Sequence, residues 1–209
     1  MHLLLTERLT CPRCGPEFGL ILLADRMEER RVLEGRLGCP NCRDAYPVTD
    51  GFGDLRAPPR GDLPEGRAGT PGRLDEQETR RLAALIGVQE GPGTVAFLGA
   101  TARFAAAYAE LVPGVEAVGL DAALVHWPRL PGVNRMVSRP GIPFFGRTLR
   151  GVAVDGALGL SWIGEAARVV APLGRVVVSE APEGAEEALI EAGLGILVVE
   201  GGTVVAARG

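Results

Sequence analysis

Cys11-Pro12-Arg13-Cys14-Gly15 and Cys39-Pro40-Asn41-Cys42 hold all four cysteines of the chain. A C-x-x-C turn sets two thiolates on one side of a tight knuckle. Two facing knuckles complete the sulfur tetrahedron that Zn²⁺ takes in structural sites. Gly15 suits a sharp turn with positive φ, whereas the second pair is followed by Arg43 and must close without glycine. Disulfides and four unrelated core thiols are the competing readings. Disulfide scaffolds are small and dense in cysteine, and four cysteines in 209 residues are sparse. Two complete pairs with nothing left over argue against unrelated thiols. The expectation is a structural Zn²⁺ on Cys11, Cys14, Cys39 and Cys42, with no open coordination position. Such a metal contributes about 10–16 kcal/mol of apparent binding energy to a segment too small to own a good core.

Between the knuckles, the runs 19–23 and 31–37 flank a charged turn at 25–30 and read as a β-hairpin. Residues 45–49 form a short strand ended by Asp50-Gly51, and 54–56 close a zinc ribbon over residues 1–56. Residues 57–73 carry four prolines and four glycines and read as a linker. Residues 74–209 then alternate between helix and strand. Helices are expected at 74–88, 101–111, 162–170 and 183–191, and strands at 94–98, 115–120, 150–154, 175–179, 196–200 and 203–207. Continuous apolar strands separated by helices imply a parallel sheet covered on both faces. The last two strands, joined by Gly201-Gly202, form an antiparallel hairpin.

Composition narrows the function. Hydrophobic residues make up 46% of the chain, enough for a buried core, yet no apolar run approaches the roughly 18 residues of a membrane span. The first residues show no basic stretch followed by an apolar one, so no signal peptide is expected. Reduced, metal-bound thiols point to the cytoplasm. The net charge is −4, and all 22 basic residues are arginine, so charge alone makes no case for nucleic-acid binding. Locally the balance differs. No acid lies between Asp121 and Asp155, a span holding Arg129, Arg135, Arg139, Arg147 and Arg150 among His126, Trp127, Phe144 and Phe145. Arginines for phosphates and aromatics for stacking suit an RNA surface; the alternative is a solvated arginine-rich loop with its aromatics in the core.

Two resemblances follow from these residues. Residues 1–56 carry Leu3–Leu5 ahead of Cys11-Pro12-x-Cys14, then Gly35-x-Leu37-x-Cys39-Pro40-x-Cys42 and Tyr46-Pro47-Val48-x-Asp50-Gly51. This run resembles the small zinc-ribbon family that binds and activates methyltransferases acting on tRNA, rRNA and a release factor. It implies a protein partner, a methyltransferase for example, reached by adding strand and apolar contacts. Residues 74–209 resemble an S-adenosylmethionine-dependent methyltransferase with the Rossmann-like seven-strand sheet. The resemblance implies a cofactor held by Gly99 after the first strand and by Asp121, which ends the second in Val118-Gly119-Leu120-Asp121.

Other family anchors are replaced. Phe97 stands at the usual carboxylate, Thr101 and Arg103 at the second and third glycines, and Ser138 or Arg139 at the acid after the third strand. The expected fold is α/β, a methyltransferase-type sheet preceded by a β-rich zinc ribbon. The expected function is a binding or regulatory module with a degenerate cofactor site and no catalytic residue assigned. The alternative is an active methyltransferase acting on RNA or a translation factor.

Overall fold

The computed structural model describes residues 1–65 and 75–209. A short helix α1 (Leu3–Thr6) leads into a two-stranded ladder of β1 (Thr10–Cys11) and β2 (Gly15–Gly19). The hairpin expected between the knuckles is β3 (Ile21–Glu28) and β4 (Arg31–Gly38). It is longer than its apolar runs because it continues through the charged residues to Glu29 and Arg30, both at positive φ. β5 (Ala45–Thr49) alternates buried and exposed residues, with Tyr46 and Val48 inward. It turns at Asp50 and Gly51, whose φ values of 48° and 73° suit a two-residue hairpin turn, and returns as β6 (Phe52–Arg56).

The second part opens with α2 (Glu76–Ile86). Its first turn is closed by the Asp75 carboxylate, which accepts from Gln77 N, and its last by Gly87 in the left-handed region. There follow β7 (Gly93–Leu98), α3 (Ala105–Leu111), β8 (Val115–Leu120), β9 (Val133–Arg139) and β10 (Leu149–Asp155). The chain ends with α4 (Leu160–Val169), β11 (Val170–Ser179), α5 (Ala185–Glu191), β12 (Leu194–Glu200) and β13 (Thr203–Arg208). β7 to β11 are parallel, and β13 runs antiparallel to both β11 and β12. Alternation along the strands divides the core. Val95, Phe97 and Val177 pack on one face with Ile86 and Tyr108 of α2 and α3. Ala96, Leu98, Val152 and Val154 pack on the other with Ile163 and Leu189 of α4 and α5. Among the described residues no helix is long and apolar enough to cross a membrane.

The two parts share one sheet. Its eleven strands run β12-β13-β11-β10-β7-β8-β9-β6-β5-β4-β3: the six expected of the second part, with β9 added to give the seven that the methyltransferase resemblance implies, followed by four of the ribbon. The join is a parallel ladder in which Phe52 to Arg56 face Arg135 to Arg139. One apolar core follows it across, taking in Leu5, Leu9, Tyr46 and Leu55 with Met136 and Phe144. Polar ties reinforce the seam. Arg135, 3% exposed, donates to the carbonyls of Asp50 and Trp127 and lies 3.2 Å from the Asp50 carboxylate. Arg31 reaches Glu116 at 3.2 Å, and Asn134 donates to the same carboxylate at 2.8 Å.

The segment expected as a linker is held down over its described part. Ala57 N donates to Arg139 O, extending the ladder by one bond. The Arg56 guanidinium, paired with Asp54 at 2.8 Å, also gathers the carbonyls of Arg60, Gly61 and Asp62. The rest of that expectation, 66–73, lies outside the described residues.

Arg135→Ala should therefore destabilise the whole sheet. It removes a buried guanidinium and leaves two carbonyls short of a donor, a loss of about 2–4 kcal/mol. Urea unfolding followed by far-ultraviolet circular dichroism checks this, and a loss under about 0.5 kcal/mol would contradict it.

Candidate metal centre and ligand cleft

The knuckles meet as their spacing predicts. The Sγ atoms of Cys11, Cys14, Cys39 and Cys42 lie within 4.8 Å of one another, with Cys11 and Cys42 at 3.7 Å and Cys14 and Cys39 at 3.8 Å. A sulfur tetrahedron around a metal with bonds of about 2.3 Å has edges of about 3.8 Å, so this set fits Zn²⁺. Gly15 has φ 98°, and the second knuckle closes through Arg43 at φ 64°, a non-glycine residue in the left-handed region. Further hydrogen bonds orient the sulfurs. Cys14 N donates to Cys11 Sγ, Asn41 Nδ2 donates to Cys14 Sγ, and the Tyr46 hydroxyl lies 3.3 Å from Cys11 Sγ. Burial raises the Cys11 thiol, but the bonds from Tyr46, Cys14 and Arg13 outweigh it and bring the group to about 7. Burial pushes Cys39 and Cys42 up.

Next to this centre lies a cleft of about 910 Å³ at the carboxyl ends of β7, β8 and β9. Gly99, Leu120, Asp121, Val137 and Ser138 form one wall, and Thr10 to Pro16 of the first knuckle form another. The amino end of α4, with Ser161 and Trp162, completes it. The structure thus brings Gly99 and Asp121 together. Asp121 Oδ1 accepts from Ala123 N at 2.8 Å, capping the short 3₁₀ turn Ala122–His126. Its second oxygen has no hydrogen bond among the described residues. Ser138, 7% exposed, carries the one buried side-chain polar atom without a partner among the described residues.

The loop after β7 is a 3₁₀ turn, Gly99–Phe104, rather than a glycine loop. Thr101 Oγ1 accepts from Leu98 N and reaches the carbonyl of Ala153, locking the turn to β10. Ala100 N donates to Asp155 Oδ2 at 3.1 Å. Phe97 and Arg103 leave the cleft free. Phe97 packs edge-on against Tyr108 on the far face of the sheet, and Arg103 lies over the Phe104 ring beside Glu78.

The arginine-rich span does not form one surface. Arg135 is buried, and Arg129 pairs with Asp50 at 3.3 Å and Glu28 at 3.6 Å on the ribbon. Arg150 donates to the carbonyls of Glu90 and Pro92 at the amino end of the strands. Arg147 is exposed on the turn before β10, and Arg139 alone of the five lines the cleft. Phe144 is fully buried, and Trp127 is half-buried against the cluster of Phe52 and Leu124. The run between two acids reads as one patch only until the fold sets β7 and β8 between β9 and β10.

Three cleft groups were not singled out from sequence. Glu165 and Arg168 of α4 pair at 2.7 Å and clamp the crossover before β10, accepting from Ile142 N and donating to the carbonyls of Ile142 and Phe144. Burial raises the Glu165 carboxyl, but Arg168 and the Ile142 amide outweigh it and hold it below the usual range. Trp162 is the third. The i, i+3 spacing of Glu165 and Arg168 is the local signal; nothing local says what they clamp.

This arrangement defines a Rossmann-like methyltransferase fold carrying a four-cysteine ribbon as part of its own sheet. Residues 2–51 match the Trm112p-like protein family. Geranyl diphosphate C-methyltransferase from Streptomyces coelicolor A3(2) shares the fold, with a TM-score of 0.51 at 12% identity over 66% of this chain and 77% of that one. Also similar is a complex of the Haloferax volcanii Trm112 methyltransferase activator with a candidate methyltransferase. There the TM-score is 0.45 at 18% identity, over 59% of this chain and 75% of that one. The antibiotic-resistance methyltransferase Kmr has a TM-score of 0.44 at 15% identity, over 63% and 93%. No curated protein matches the chain in sequence.

Two outcomes follow. Native mass spectrometry should find one Zn²⁺ per chain, absent in Cys39→Ser and lost from the parent as falling pH protonates the thiolates. Gly99→Ala places a Cβ at φ 64°, 3.1 Å from Asp155 Cβ and Leu158 Cδ1. It should cost about 1–2 kcal/mol in thermal unfolding.

Proposed function

We propose that this chain is an S-adenosylmethionine-dependent methyltransferase whose zinc ribbon serves its own Rossmann-like domain. The supporting observation is convergence. Gly99, Asp121 and Ser138 line one cleft at the strand ends, the usual place for a ligand in such sheets, and among the described residues one Asp121 oxygen and the buried Ser138 hydroxyl have no hydrogen-bond partner. Asp121 has the chemistry to accept from ribose hydroxyls, and Ser138 can donate to or accept from a base edge. Bound S-adenosylmethionine supplies an activated methyl group. The chain's own part is to hold that ligand and an acceptor in line, which needs positioning more than a catalytic side chain. The likeness of residues 1–56 to activators of translation-related methyltransferases makes an RNA or a translation factor the acceptor class. Zn²⁺ on Cys11, Cys14, Cys39 and Cys42 is structural, and reduced thiolates suit the cytoplasm. The protein partner implied by the ribbon is met within the chain, because β6 spends its free edge on β9.

A second reading has its own observation. Ala100 N is committed to Asp155, which removes one backbone donor beside Gly99. If that closes the site, the protein is a binding or regulatory module for a methylation-related partner.

Calorimetric titration of zinc-loaded protein with S-adenosylmethionine and S-adenosylhomocysteine separates the two. The proposal expects a Kd below about 100 μM, or about −5.5 kcal/mol. Asp121→Ala should weaken it about tenfold or more, as a hydrogen bond to a charged group is worth about 1.5–3 kcal/mol. No heat at millimolar ligand, with no thermal shift, would establish the module reading instead.

A further inference from the structure

We infer that the metal centre and the cleft are one coupled device: metal on the four cysteines sets the position of a ligand-facing wall. This rests on the ligand reading above and adds a link between two sites. The first knuckle is unusual in what it faces. Thr10, Cys11, Pro12, Arg13, Cys14, Gly15 and Pro16 line the cleft, whereas Cys39 and Cys42 of the second knuckle do not. The metal therefore fastens the wall to an anchor outside the cleft.

Beyond the buried Thr10 and Cys11, little else holds that wall. β1 has two residues, and its register against β2 is irregular between Thr10 and Cys11. Inside the turn, the hydrogen bond from Cys14 N ends on Cys11 Sγ, itself a metal ligand. Arg13 ties to Asp44, two residues past Cys42, so even this outer contact returns to the second knuckle. On its other side the wall continues into the body of the protein. Thr10 N donates to Pro143 O, and Phe145 N to Arg8 O. The same 142–144 segment is clamped by Glu165 and Arg168, which also line the cleft. A displaced knuckle thus moves a wall directly and pulls on the strap that α4 holds.

Ligand occupancy and metal affinity must then favour each other by the same factor at equilibrium. The test uses full-length protein in two forms. With Zn²⁺ bound, a competing chelator is titrated with and without saturating S-adenosylhomocysteine, and the ligand should tighten metal binding about fivefold or more. With Co²⁺ in the four-thiolate site, the visible ligand-field bands should shift on adding S-adenosylhomocysteine. Asp121→Ala, which keeps the cysteines, should move both responses to about tenfold higher ligand concentration. The cobalt bands separate local coupling from a general gain in fold stability, which would raise metal retention without altering the sulfur geometry. Calorimetric binding with unmoved cobalt bands overturns the inference and leaves the proposed function standing. Absence of ligand binding by calorimetry overturns both.

Discussion

The parallel pairing of β6 with β9 is the contact on which the rest depends. Without it, β9 would present a row of unpaired amides and carbonyls at the edge of a seven-strand sheet, and the ribbon would be a small metal-held hairpin with half a core. Five facing positions, Phe52 to Arg56 against Arg135 to Arg139, cure both defects. Buried backbone groups gain partners, and Tyr46, Leu55 and Met136 come to share one apolar interior. An isolated parallel pair is weak, so side chains at the seam matter. Arg135 is the plainest case, since a buried guanidinium is tolerated only when its donors are spent, and these go to Asp50 and Trp127.

That pairing also decides where the cleft is. Placing β6 beside β9 carries the first knuckle to the carboxyl ends of the strands, opposite Gly99 and Asp121. The site is therefore built by two parts of different character. One wall is strand ends of a parallel sheet, rigid because each strand is paired on both sides. The other is a knuckle whose strand residues are few, Thr10 and Cys11 of β1 and Gly15 and Pro16 of β2, around a two-residue turn between thiols. A metal-binding free energy of about 10–16 kcal/mol is large beside the few hydrogen bonds available to residues 10–16.

Much of this is legible in residue order because it rests on local physics. The C-x-x-C pairs give the sulfur cluster, since a two-residue turn leaves thiolates little choice of direction. Apolar runs between helical periods give the parallel strands, and Gly201-Gly202 the final hairpin. Gly99 and Asp121 fall at strand ends, where a ligand site in such a fold is expected, and both line the cleft. The failures are equally local in origin. Five arginines between two acids suggest a patch, but burial at Arg135, the seam at Arg129 and the opposite strand end at Arg150 scatter them. Residues 57–65 carry the proline content of a linker, and they are fixed because Arg56 gathers their carbonyls.

The sequence by itself determined the four-cysteine cluster, most of the strands and helices of the second part, and the two residues at the strand ends. Each depends on neighbours a few positions away. Only the tertiary structure decided that ribbon and Rossmann-like domain form a single sheet, that the knuckle faces the cleft, and that Phe97 and Arg103 stay out of it. The physical reason is that backbone edges carry no sequence label. β6 and β9 find each other through amides and carbonyls that every residue but proline supplies, and the partner is chosen by the global fold.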